Sequence, residues 1–169
     1  MDAFTKDGVM RMAHKYKRVL AAVDGSKGAE TALKKAVEIV KRNHTKLDVL
    51  RVLDLSSLEY GGAGIALDGE RIYKIEQANE KYMQKLKTTL LEEGLAKEQV
   101  EVHLRFGNPK VVVVDDFQPE YQNDLIVIGS TGKNFIERLV VGSVAAYITR
   151  NANCDVLMAR PDKENKKNN

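Results

Sequence analysis

Three glycines and a serine carry the clearest chemical signal in the chain. The apolar run Leu125-Ile126-Val127-Ile128 ends in Gly129-Ser130-Thr131-Gly132, nine residues intervene, and Gly142-Ser143 opens a segment of helical spacing. Glycine backbone reaches conformations closed to other residues and lets phosphate oxygens approach the amide groups. Ser143 can cap the helix and offer a hydroxyl, while the helix N-terminus adds free N–H donors and the positive end of a dipole. The chemistry this pattern suits is an anion cradle. A tight turn followed by an ordinary helix cap would use the same residues.

Two better-known phosphate motifs fail here. The Walker loop needs a glycine where Val127 stands and Ser or Thr where Asn134 stands. The dinucleotide fingerprint places its glycines after the first strand, and Asp24-Gly25-Ser26-Lys27-Gly28 does not supply them. Asp24 ends the first apolar run, where it either caps the following turn or faces a ligand. A phosphoacceptor role would want a further aspartate ending the third strand and a lysine ending the last, but Arg105-Phe106-Gly107 and Arg160 occupy those places. His14, His44 and His103 lack ligand spacing, so no protein-built metal site is indicated. Cys154 reads as a small buried hydrophobe. Asp115-Asp116 read as solvated carboxylates. Lys133 and Arg138, between the glycines, either help neutralise phosphates or lie in a solvated loop.

Positioning these residues requires a particular order of elements. Val19-Leu20-Ala21-Ala22-Val23 is a continuous apolar run, as expected of a strand covered on both faces. Ser26 is a plausible N-cap for a helix carrying Ala29, Ala32, Leu33, Ala36, Val37 and Val40. A second strand is expected over 47–53, then an irregular stretch from Ser56 to Gly69 containing Gly61-Gly62-Ala63-Gly64. That stretch reads either as a flap beside a ligand or as a long loop. Ile72, Ile75, Asn79, Tyr82, Leu86 and Leu90 mark one face of a long helix stopping at Gly94. Alternation in Val100, Val102 and Leu104 predicts an edge strand. Asn108-Pro109 starts a short helix despite the β-branched run Val111 to Val114. Strands over 125–128 and 154–159 flank a helix capped by Ser143. This alternation implies an α/β fold, a doubly wound parallel sheet with helices on both faces. Ligands in such sheets sit outside the carboxyl ends of the strands.

Composition narrows the class further. The chain has 169 residues, 43% hydrophobic and 30% charged, enough for one globular domain. A net charge of +3, dispersed along the chain, and ten aromatic residues without tryptophan predict no nucleic-acid partner. One cysteine, no long apolar run and no signal-like N-terminus lead to an expectation of cytoplasmic location with no membrane partner. The domain is expected over 17–160, after an N-terminal extension at 1–16 and before a disordered charged tail at 161–169.

The pattern Gly-x2-Gly-x9-Gly-Ser at Gly129, Gly132, Gly142 and Ser143 resembles the ATP-binding subgroup of the universal stress protein family. The likeness extends to Val23-Asp24-Gly25-Ser26, Arg51-Val52-Leu53-Asp54, Gly107-Asn108-Pro109 and Val127-Ile128-Gly129-Ser130, and spans about residues 17–160. It implies a five-stranded sheet of order 3-2-1-4-5, of the adenine nucleotide alpha hydrolase-like kind. It also implies that Asp24 lies near the adenosine and that the Val52 backbone reads the adenine edge. Ile128 and Gly129 would line the adenine and ribose region. Gly132, Gly142, Ser143 and Val144 would hold phosphates, with Mg2+ or Mn2+ carried by the nucleotide. A homodimer through the last strand, Cys154 to Ala159, is implied as well. Arg51 and Thr131 stand where many relatives have histidine, and neither departure removes a glycine.

Three functions follow as alternatives: a nucleotide-regulated stress-response module, a slow ATP hydrolase or transferase, and a nucleotide-free dimeric scaffold. Phosphoryl transfer needs a held metal, a positioned nucleophile and fixed charge at the γ-phosphate. No catalytic residue is assigned, and the expected turnover is slow or absent.

Overall fold

The computed structural model describes residues 16–56, 68–131 and 141–160. Its frame is a five-stranded parallel sheet of order β3-β2-β1-β4-β5. The strands are β1 Arg18–Ala22, β2 Lys46–Leu53, β3 Val100–Phe106, β4 Leu125–Gly129 and β5 Asp155–Ala159. Three helices connect or cover them: α1 Lys27–Asn43, α2 Gly69–Glu92 and, after β4, a short Ser143–Asn151. A fourth helical segment, 109–121, follows β3. We number it α3 and the Ser143–Asn151 helix α4.

Two cores explain why both faces are covered. Val19, Ala21, Leu47, Val49, Leu125 and Val127 pack with Ala32, Ala36, Val40, Met83 and Leu90 of α1 and α2. The alternate residues Leu20, Leu50, Ile126 and Ile128 pack on the other side with Val112, Val113, Val114, Phe117 and Ile148. Successive side chains of a strand point to opposite faces, so a strand buried on both must be apolar throughout. The half-exposed β3 and β5 form the edges of the sheet.

The sheet order, the helices and the short helix over the valine run agree with expectation. That segment is three pieces end to end, Pro109–Val111, a wider π-helical Val112–Phe117 and Gln118–Tyr121. Asn108 caps it through Oδ1, accepting the Lys110 amide at 3.0 Å. In the widened part the Gln118 amide reaches the carbonyl of Val113. This geometry buries Val112, Val113, Val114 and Phe117 together, which overrides the strand preference of the valines. In α2 the apolar face is placed as expected, although Met83 is buried and Tyr82 is left 38% exposed.

The 61–64 stretch, read as either a flap or a long loop, most of the expected N-terminal extension and the tail lie outside the described residues. Tyr16 is described and is tied to the domain, its amide donating to Asn43 Oδ1 and its hydroxyl to Asp155 Oδ2.

Candidate functional site at the strand ends

The carboxyl ends of β1, β2 and β4 open side by side. At β1 the chain makes one more sheet bond, Val23 N–H to Leu50 O at 2.9 Å, and then turns away at Asp24. Asp24 Oδ1 accepts the Ser26 amide at 2.9 Å, and Gly25 sits at φ 81°, where a side chain would be strained. Ser26 Oγ accepts the Ala29 amide at 3.1 Å and caps α1. Asp24 is therefore a turn residue with one carboxylate oxygen committed. The other has no partner among the described residues, and the side chain is half-buried at the mouth.

The departure of β1 leaves β2 partly unpaired. Leu50 uses its carbonyl on Val23, and Leu53 directs its own toward β3, accepting the Gly107 amide at 3.0 Å. Backbone groups alternate sides along a strand, so Val52 presents N–H and C=O on the β1 side, where no strand remains. A donor and an acceptor side by side are what the edge of a purine can pair with. The side chain of Arg51 points to the other face, its guanidinium carbon 4.9 Å from the ring centre of Tyr82 in α2.

At β4, Ile128 is buried and supports the mouth from within the core, while Gly129 lies against the first turn of α1. Ser130 donates to the carbonyl of Ala159 at 2.9 Å and accepts the Gly142 amide at 2.8 Å. The second bond draws together Ser130 and Gly142, which flank the stretch containing Gly132, Lys133 and Arg138, all three outside the described residues. Gly142, not Ser143, is the N-cap of α4. Its carbonyl closes the first helical bond with Ala146 at 2.9 Å, so Ser143 becomes the first helical residue, with an exposed hydroxyl. Glycine has no side chain with which to cap, and the amides of Ser143, Val144 and Ala145 consequently have no partner among the described residues. The Gly142 amide is occupied by Ser130. Ala145 is a donor that the glycine pattern does not reveal. A cleft of about 390 Å3 lined by Asp54, Leu55, Ser56, Phe106, Gly107 and Asn108 flanks the β2 side of the mouth.

A second polar cluster, invisible in the sequence, lies at the opposite end of the sheet. Asp48, 1% exposed, receives Arg18 Nε on Oδ2 at 2.6 Å and Arg18 Nη2 on Oδ1 at 2.9 Å. His103 Nε2 lies 2.9 Å from Oδ1, and Asn123 Nδ2 donates to Oδ2 at 2.8 Å. Burial pushes the Asp48 acid upward, but hydrogen bonds from Arg18, His103 and Asn123 overcome it and hold the pKa at about 2. Asp48, Glu101 and His103 have the ligand types for a metal. Each Asp48 oxygen already takes two donors, so a cation would have to displace the Arg18 guanidinium; the group reads as a structural tie. Cys154 is half-buried, and burial, with Asp124 and Asp155, pushes its thiol up to about 11, which suits an unreactive packing residue.

The fold and this mouth define a doubly wound α/β protein whose polar backbone groups gather at the carboxyl ends of its strands. The family model of the universal stress protein family matches residues 15–160. A relative named as a universal stress protein in Staphylococcus aureus strain USA300 is 37% identical over 148 residues, 88% of this chain and 86% of its own length. The structure of the universal stress protein UspA from Lactobacillus plantarum superposes with a TM-score of 0.71 at 27% identity, covering 87% of this chain and 99% of that one. That of the Archaeoglobus fulgidus universal stress protein in complex with dAMP gives 0.57 at 26% identity, covering 86% and 99%. The chain belongs to the universal stress protein family. Among the described residues no helix is long and apolar enough to cross a membrane.

Proposed function

We propose that this protein binds ATP, or a close adenine nucleotide, at the strand-end mouth, and that occupancy regulates a stress-response module. The observation that carries the proposal is the convergence of three unlike recognition elements. The unpaired Val52 backbone suits the adenine edge, the uncommitted Asp24 oxygen suits a ribose hydroxyl, and the open amides at Ser143, Val144 and Ala145 suit phosphate. The dAMP held by the Archaeoglobus relative supports an adenine nucleotide here. Gly142 leaves the start of α4 without a capping side chain, Gly129 lets the end of β4 close on α1, and Ile128 forms the floor, with Gly132 proposed as a further phosphate contact. Mg2+ or Mn2+ would arrive with the nucleotide, since Asp24 is the only carboxylate among the site residues assigned to it.

Pairing of two copies through the open edge of β5, in the cytoplasm, completes the proposal; an edge strand with unpaired backbone is a ready surface for a second chain. Binding that favours substrate and transition state equally does not accelerate chemistry, so turnover is slow or absent. The test is to release ligand from freshly purified protein by heat and identify it by mass spectrometry. Calorimetry with ATP, GTP and adenosine, and an assay of Mg2+-dependent turnover, then follow. An adenine nucleotide in the released fraction, and weaker binding of GTP than of ATP, are expected. No binding at millimolar nucleotide would overturn the proposal.

A further inference from the structure

Gly28, in the first turn of α1, and Gly129, at the end of β4, are pressed together so closely that neither has room for a Cβ. A Cβ on Gly28 would stand 2.6 Å from the carbonyl oxygen of Thr131, and one on Gly129 would stand 2.5 Å from the carbonyl carbon of Gly28. All the obstructing atoms are backbone, so none can rotate aside. Gly129 belongs to the glycine pattern; Gly28 does not.

We propose that Gly28 is a positioning residue for the phosphate end of the nucleotide site, a proposal that rests on the nucleotide-binding reading above. Thr131 is where the chain leaves β4 for the segment carrying Gly132. Its carbonyl occupies the place of the missing Gly28 side chain, which seats the start of that segment on the α1 N-terminus. The far end is clipped by the Gly142 amide on Ser130 O at 2.8 Å. Together the two contacts fix the Asp24 turn relative to the open amides of α4. An added methyl at Gly28 would force Thr131 back by about 1 Å, which separates a hydrogen bond from no bond. Val52 lies on β2, outside this contact, so the adenine end is spared.

The test compares affinities for ATP and for adenosine, by calorimetry, in the native protein, in Gly28→Ala and in Lys27→Ala, a neighbouring exposed position. Gly28→Ala is expected to weaken ATP by about tenfold or more while adenosine changes less than about twofold. Lys27→Ala should keep the ATP-to-adenosine ratio within about threefold. Unchanged ATP affinity in Gly28→Ala overturns the proposal, and so does an equal loss for both ligands, which a merely structural glycine would give. A native protein that binds adenosine but not ATP overturns the proposal together with ATP as the ligand of the reading above, whereas unchanged ATP affinity in Gly28→Ala overturns the proposal alone; one that binds neither ligand overturns the nucleotide reading altogether. If Gly28→Ala does not fold, amide signals of Gly28 and Gly129 in the labelled native protein decide. They should shift with ATP and stay in place with adenosine; identical shifts overturn the proposal.

Discussion

Ser143 and Gly142 divide a task that the sequence assigns to Ser143 alone. A serine at the cap would spend its hydroxyl on the helix; as the first helical residue it keeps that hydroxyl exposed. Ser143→Ala should therefore leave the melting temperature nearly unchanged and weaken ATP by about 1 kcal/mol, or up to about 3 if the partner is charged. Calorimetry beside a thermal melt checks this, and a large fall in stability would place the hydroxyl in the helix cap instead. Gly142→Val should cut ATP affinity more deeply, since a branched side chain would stand at the phosphate side of the mouth. Retained affinity in that variant would refute the cradle. At this scale the sequence was legible where chemistry runs along the chain, as in the glycine spacing. It was silent on Asp48, whose partners lie 30, 55 and 75 residues away. An aspartate within an apolar strand is the only trace of that cluster in the sequence.

The central β1 and β4 were readable because burial on both faces demands unbroken apolar runs, the edge strand β3 because its residues alternate, and α1 because its cap and period agree. Ser26→Ala should cost about 1 kcal/mol of stability, the scale of a lost N-cap, measurable by chemical denaturation. The same variant loosens the turn that orients Asp24, so ligand affinity should fall with it. The 109–121 segment was harder to read. Its capping residues favour a helix and its valines favour a strand, and the conflict is resolved by packing of Val113 and Phe117 against Leu50 and Ile126. Phe117 is fully buried and its ring stacks on Tyr121 at 4.2 Å between centres. Phe117→Ala should cost about 3–5 kcal/mol, the usual cost of deleting a buried aromatic side chain. A loss below about 1 kcal/mol would mean that α3 does not hold the sheet on this face.

On the scale of the whole molecule, the two ends of the sheet have different work. Among the described residues the carboxyl ends keep backbone groups unpaired, whereas at the amino ends both oxygens of Asp48 are matched, although Asn123 Oδ1 beside them has no partner. Arg18 of β1, Asp48 of β2, His103 of β3 and Asn123 before β4 meet in one cluster, which ties four consecutive positions in the sheet. Its energetic signature is pH dependence. The Asp48 carboxyl sits at about 2 in the folded protein against an ordinary 3.8, so the unfolded chain binds the proton first as pH falls. A depressed folded value means that the stabilisation is complete above pH 4 and is lost as pH falls toward 2. The shift corresponds to about 2 kcal/mol. Urea denaturation of the native protein and of Asp48→Asn, at intervals between pH 2 and 5, isolates this contribution from that of other carboxylates. The difference in unfolding free energy between the two should be flat above pH 4 and shrink by about 2 kcal/mol toward pH 2. Parallel curves across that window would show that Asp48 is not the group the sheet depends on.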